Sequence, residues 1–218
     1  MLSPNSPVPP ALLPTPPVTP SWLVRRRTQM GLFLWLLLAS ALLFIHHSWP
    51  EDTFLDFSLD TLGYGFLMLG VLGRLWCTLY IGGKKHAELQ TMGPYSLVRH
   101  PLYMCNLLLA LGFSSLSGNP GVLVVVIAYF SWQYLATIRH EEAALLETFG
   151  AAYAAYMQRV PCFVPHGRGI DFSAPTAVDM RMLRKEVDRV LIFLLIVPIL
   201  ELVALLHERG MLPYLIFP

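Results

Sequence analysis

Two short stretches concentrate the polar and aromatic residues of an otherwise apolar chain. The first is Gly93-Pro94-Tyr95-Ser96-Leu97-Val98-Arg99-His100-Pro101-Leu102-Tyr103. Gly-Pro makes a turn, and Pro101 suits the first turn of a helix because its missing N–H would have no partner there. Arg99 and His100 then sit at a helix mouth, where free backbone N–H groups and the positive end of the dipole can receive a carboxylate. The second stretch runs from Arg139-His140-Glu141-Glu142 to Arg159-Val160-Pro161-Cys162-Phe163-Val164-Pro165. Within it Glu142, Leu145, Leu146 and Phe149 recur at helical spacing, which favours Glu142 over Glu141 as the inward carboxylate. Gly150 is placed to stop that helix, and Tyr153 and Tyr156 share one face of the next.

The rest of the chain must hold these stretches in place, and its composition says in what solvent. Of 218 residues 55% are hydrophobic and 13% charged, against about 25% charged in a typical soluble domain. Such a shortage of solvating side chains points to lipid, and the length suffices for about five spans of about 20 residues each. The expected fold is therefore all-α: a polytopic membrane protein with about five transmembrane helices and a cytoplasmic helical segment for binding a cofactor. A formal net charge of +1 excludes a bulk electrostatic case for nucleic acid. Cys77, Cys105 and Cys162 are too scattered for a metal-ligand spacing and are expected to be packing residues, with no metal bound.

Residues 1–24 form a proline-rich arm, since repeated prolines fix φ and remove backbone donors too often for helix or sheet. Residues 25–218 form one membrane domain, with spans expected near 30–47, 62–82, 101–117, 120–139 and 188–207. The turn sequence Ser117-Gly118-Asn119-Pro120 makes the third and fourth spans an antiparallel hairpin. Basic residues fall on one side of this topology: Arg25 to Arg27, Lys84, Lys85 and Arg99, and the stretch from Arg139 to Arg189. Acidic Glu51, Asp52, Asp56 and Asp60 fall on the other. The positive-inside bias puts the N terminus and both motifs in the cytoplasm and the C terminus on the opposite side.

A carboxylate at the membrane edge, tyrosines on a short helix and an Arg-His pair opposite could surround a zwitterionic, adenine-bearing cofactor. Glutamate accepts from hydroxyls or an amino group, aromatic faces suit an adenine or a sulfonium, and Arg suits a carboxylate. Taken singly, Arg99 reads as a positive-inside anchor, His100 as a helix cap, and Tyr153 and Tyr156 as interfacial belt residues. Together, and in this order, the two motifs resemble the isoprenylcysteine carboxyl methyltransferase family, with related membrane enzymes that methylate phospholipid amines. The resemblance covers about residues 80 to 166. It implies a cytoplasmic pocket for S-adenosylmethionine, leaving S-adenosylhomocysteine as product, reached from the bilayer by a lipid-like acceptor. Carried over residue by residue, it assigns Tyr95, Arg99, His100, Pro101, Tyr103, Glu142, Tyr153 and Tyr156 to the cofactor, with Arg159 as a further candidate. Arg74, Arg99 and Glu142 are the candidate catalytic residues.

Arg74 interrupts the second apolar run about 12 Å from its cytoplasmic end, too deep to snorkel easily. It is expected either to face the substrate cavity and meet an anionic group of the acceptor, or to pair with Glu201 or a carbonyl. The acceptor expected first is a lipid-linked carboxylate or other lipid oxygen. Amine methylation of a phospholipid is the alternative, and a non-catalytic membrane scaffold or transporter is the rival from another class. The run after the second motif, with Pro198 and Glu201, departs from the family pattern, in which the chain commonly ends soon after that motif.

Overall fold

The computed structural model describes residues 53–81, 88–165, 169–173 and 178–211. The proline-rich arm, the first expected span and Lys84, Lys85 and His86 lie outside them. The described residues contain helices and no strand. In chain order these are α1 (Phe54–Ile81), the single turn α2 (Pro94–Leu97), α3 (Pro101–Leu116), α4 (Pro120–Arg159) and α5 (Met180–Glu208). Helices thus stand where the second to fifth spans were expected. Of these, α1 and α4 are long and apolar enough to cross a membrane, and α3 is a shorter apolar helix. Many of their large apolar side chains face outward, among them Leu62, Met68, Leu72, Val124 and Ile127 on α1 and α4, and Leu191, Leu195 and Ile199 on α5. Outward Leu, Ile and Met in such density suit a lipid surrounding.

Helix α3 is the centre of the packing, antiparallel to α1 on one side and to α4 on the other. Small residues allow the first contact. A Cβ built on Gly70 would lie 2.7 Å from Leu109 Cγ, and one on Gly112 would lie 2.7 Å from Leu67 Cγ. The two glycines therefore admit each other's partner helix reciprocally, as small residues do where no hydrophobic force drives helices together. Leu67, Leu109 and Phe113 fill the seam. On the other side Ala110 packs with Val122, Val126 and Phe130. The Ser117–Asn119 turn closes the hairpin as expected: Pro120 opens α4, and the Asn119 side chain accepts from the Gly121 N–H at 2.8 Å. That bond satisfies one of the orphan donors of the first turn.

Helix α4 runs on past the membrane stretch. It reaches Gly150, whose φ of 51° and ψ of −124° break the helix in the place the sequence marked for a stop. A residue with a Cβ would be strained there. The turn after this kink carries Tyr153 and Tyr156 inward, their ring centres 5.9 Å apart, and together with Val160 they form a small core that Leu145, Leu146 and Phe149 complete. The chain then folds back onto the first motif. Arg99 N–H donates to the Pro161 carbonyl at 2.8 Å, and the Tyr156 hydroxyl donates to the Tyr95 carbonyl at 2.7 Å. Residues 169–173 lie across the same turn. Gly93 N–H donates to the Asp171 carbonyl, Asp171 N–H donates to Ser96 Oγ, and Phe172 stacks on Trp76. Helix α5 lies antiparallel to α1, joined to it by Arg74–Glu186 and by a hydrogen bond from the Tyr64 hydroxyl to Glu201.

Candidate functional site

A cavity of about 640 Å³ lies where these pieces meet, within the range of small-molecule and cofactor sites. Of the residues singled out from the sequence, Arg74, Tyr95, Arg99, His100, Pro101, Tyr103, Tyr153 and Tyr156 all line it. Glu142 and Arg159 are not on its wall. Helix α3 positions the first motif: Pro101 is its first residue, and the His100 carbonyl takes the N–H groups of Tyr103 and Met104, each at 3.2 Å. The His100 side chain makes no capping bond. It turns instead to Glu142, with Nε2 3.2 Å from Oε1.

Glu142 is buried and holds the first motif from behind. The same oxygen, Oε1, lies 2.9 Å from Arg99 Nη1. One carboxylate on α4 thus fixes both Arg99 and His100 across the hairpin, which is the kind of paired and hydrogen-bonded arrangement a buried charge requires. Cys162 reaches the same place: its Sγ, Glu142 Oε1 and a ring nitrogen of His100 all lie within 4.8 Å of one another. Its sequence spacing gave no sign of this, because the fold-back after Tyr156 creates the proximity. The Arg99 guanidinium already provides a cation at Glu142 Oε1, so the arrangement serves as a charge-balanced support for the cavity wall. Burial and the Glu142 carboxylate push the Cys162 thiol up, keeping it protonated.

Glu141, the carboxylate ranked second from helical spacing, is the one that lines the cavity. It accepts from the Tyr103 hydroxyl at 2.6 Å. Spacing picked out Glu142 as the buried carboxylate but could not tell which neighbour meets the cavity: Leu145 and Phe149 of the apolar face line it together with Glu141, whereas Glu142 turns to Arg99 and His100. Around Glu141 the wall is aromatic: the Tyr103 and Tyr134 rings lie 4.7 Å apart, and Phe130 meets Tyr134 edge-on. Gln133, Thr137, Thr148 and Glu88 also line the cavity and were not singled out from the sequence. Asn106 is a further lining residue that sequence reasoning missed. Its signal is a polar side chain within an apolar span, and Arg74 Nη1 donates to its Oδ1.

Besides Arg99 Nη1, which faces Glu142, four buried polar atoms of cavity-lining residues make no hydrogen bond among the described residues: Tyr95 Oη, Tyr153 Oη and Arg99 Nε beside the two motifs, and Tyr129 Oη toward the other end. Buried donors left unpaired are costly. The first three match what a cofactor with hydroxyls, an amino group and a carboxylate needs. Burial pushes the hydroxyls of Tyr95, Tyr153 and Tyr156 up, so each stays a neutral O–H donor at physiological pH. At the membrane-side end, Arg74 Nε donates to Glu186 Oε1 at 2.6 Å. Glu201, the partner considered from the sequence, instead accepts from Tyr64.

The described residues thus form an all-helical wall around a cavity of cofactor size, between a helix mouth and apolar helices. The model of the isoprenylcysteine carboxyl methyltransferase family matches residues 63–147. The cobalt-zinc-cadmium resistance protein CzcN of Cupriavidus metallidurans is 34% identical over 192 residues, 88% of each chain. The nickel-cobalt-cadmium resistance protein NccN of Alcaligenes xylosoxydans xylosoxydans is 35% identical over 145 residues, 66% of this chain and 67% of that one. Protein-S-isoprenylcysteine O-methyltransferase B of Arabidopsis thaliana is 36% identical over 83 residues, 38% of this chain and 42% of its own. No solved structure matches. The chain belongs to an isoprenylcysteine carboxyl methyltransferase-like family, whose model covers residues 63–147 of it.

Proposed function

We propose that the protein is a multi-pass, S-adenosylmethionine-dependent methyltransferase whose acceptor is a lipid-like molecule bearing a carboxylate or another anionic oxygen. The observation that supports this most is the division of one cavity between two chemistries. Its cytoplasmic wall offers the unpaired Tyr95, Tyr153 and Arg99 donors, and its membrane-side end offers the Arg74 guanidinium. The N terminus and the cofactor end lie in the cytoplasm in this reading, with about five spans and the C terminus on the opposite side.

Arg99, with the neighbouring backbone, would hold the cofactor carboxylate, and the Tyr95 and Tyr153 hydroxyls its polar edges. Tyr153, Tyr156 and Phe149 would supply aromatic faces to the adenine and the sulfonium. When bound, S-adenosylmethionine supplies a methyl group already activated on sulfur, so acceptor attack releases S-adenosylhomocysteine as a neutral thioether and needs no protein nucleophile. The protein's task is then alignment and exclusion of water. Glu142 serves it by fixing Arg99 and His100. Arg74 serves it by holding one oxygen of the acceptor's anionic group so that another is free to face the methyl group, and the apolar lining from Phe130 and Leu102 keeps water away. A carboxylate or phosphate oxygen attacks without a base.

A second reading, N-methylation of a phospholipid amine, is favoured by one observation. Glu141, hydrogen-bonded to Tyr103 and bordered by aromatic rings, could take the proton an ammonium must lose before it attacks. The test of both is transfer of labelled methyl from S-adenosylmethionine into a total lipid extract and a prenylcysteine panel, with identification of the product. An O-methyl ester supports the first reading and an N-methylated lipid the second. Failure of the full chain to bind S-adenosylhomocysteine would sink both and leave a non-catalytic membrane role.

A further inference from the structure

Glu186 is 3% exposed, in the second turn of α5, a helix beyond the stretch the family model matches. A buried carboxylate on a helix edging into an apolar layer is costly unless paired. Both its oxygens are taken by arginines: Oε1 by Arg74 Nε at 2.6 Å, and Oε2 by Arg189 Nη1 at 2.9 Å. Glu186 does not line the cavity, whereas Arg74 does. We infer that Glu186 is a positioning residue, holding Arg74 by its Nε edge so that the rest of the guanidinium meets the cavity, and thereby making the acceptor end selective for an anionic headgroup. This inference rests on the proposed acceptor site at Arg74.

Three features support it. Asn106, from α3, engages Arg74 Nη1 through an uncharged oxygen, so the guanidinium is fixed from two helices without its charge being cancelled on the cavity side. The other lining residues at that depth, Tyr129, Phe130, Gln133 and Tyr134, are neutral. Finally, Arg189, 60% exposed on its side chain, shares the Glu186 charge from the water side, leaving the three groups with one net positive charge. A guanidinium keeps that charge at any physiological pH. An acceptor entering between α1, α3 and α4 thus meets a fixed cation with open N–H donors, and a carboxylate or phosphate can bind it through two of them.

The test uses the full chain in phosphatidylcholine nanodiscs, with binding of N-acetyl-S-farnesylcysteine, phosphatidic acid and phosphatidylethanolamine each read by tryptophan fluorescence. The wild type should bind at least one anionic probe about tenfold more tightly than phosphatidylethanolamine, and which of the two is preferred distinguishes a carboxylate from a phosphate. Glu186→Ala should lower that affinity about tenfold and leave S-adenosylhomocysteine binding within about twofold. Glu186→Gln retains an oxygen for Arg74 Nε and should keep or raise the preference for the anion. If Glu186→Ala does not fold, Glu186→Gln alone decides: a preference that falls to unity overturns the inference. Equal losses for all three lipids and for S-adenosylhomocysteine would show a merely structural role and overturn it too. Anion-selective binding without methyl transfer would overturn the transferase reading and leave this one standing.

Discussion

The two ends of the cavity are built on different plans. At one end two contiguous motifs face each other across one hairpin, and the key contacts join neighbours in those motifs: Arg99, His100 and Glu142, then Tyr95 and Tyr156. At the other end the three partners Arg74, Asn106 and Glu186 come from α1, α3 and α5. The first plan leaves donors unpaired on the wall and depends on one carboxylate. The second saturates its carboxylate and leaves part of a guanidinium and the Tyr129 hydroxyl open.

The largest expected effect follows from Glu142. Glu142→Leu strands Arg99 in a buried position without its counter-charge, costing about 3–5 kcal/mol of stability, and should abolish S-adenosylhomocysteine binding in equilibrium dialysis. A normal binding constant in that variant would mean the two ends do not differ as described. Next, Gly70→Val places a side chain where Leu109 already stands at 2.7 Å, and overpacking should cost about 1–3 kcal/mol. Thermal unfolding in detergent measures it, and both ends of the cavity should suffer together because α1 and α3 frame both.

Tyr153→Phe separates the ends. It removes a hydroxyl that has no partner among the described residues, so ligand-free stability should hold or rise slightly. S-adenosylhomocysteine affinity should fall by about 0.5–1.5 kcal/mol, the net worth of one hydrogen bond, with acceptor binding unchanged. A matched loss at the acceptor end would erase the distinction. The smallest effect concerns Cys162. Because burial raises its thiol pKa, less thiolate is present at pH 7 than for a free cysteine, so alkylation should be slower. Its rate should climb with pH beyond the range where an ordinary thiol levels off, and S-adenosylhomocysteine, but not an acceptor lipid, should slow it further. Mass spectrometry of the alkylated peptide reads both.

The same contrast explains what could be read from the sequence. Apolar runs, the Ser117–Asn119 turn and the stop at Gly150 are local signals, and the helices follow them closely. The convergence of Tyr95, Arg99, His100, Tyr103, Tyr153 and Tyr156 on one cavity was legible because these residues cluster in two motifs whose spacing encodes their faces. Two details escaped for physical reasons. Glu141 and Glu142 are adjacent, and an apolar face at helical spacing names the side that packs: Glu142 is the buried carboxylate, as expected, but Arg99 and His100 engage it, and Glu141 is the one that meets the cavity. Cys162 joins His100 and Glu142 only through the chain reversal after Tyr156, which no periodicity announces. At the other end, Arg74 stood out by its depth alone. Its acidic partner was expected to be Glu201 and is Glu186: the two lie on one helix about 15 residues, or four turns, apart, and only the register of α5 against α1 decides between them.

Helix α4 is unbroken from Gln133 to Glu141, and both residues line the cavity. At 1.5 Å per residue that stretch is a rigid ruler of about 12 Å. The separation between these two points of the cavity wall is thereby set by a count of residues rather than by loop geometry. Inserting one residue there would lengthen the ruler only slightly but rotate everything beyond it by about 100°, carrying Glu141 off the wall and Glu142 away from Arg99. Changes of side chain along this stretch should therefore be tolerated far more readily than changes of length.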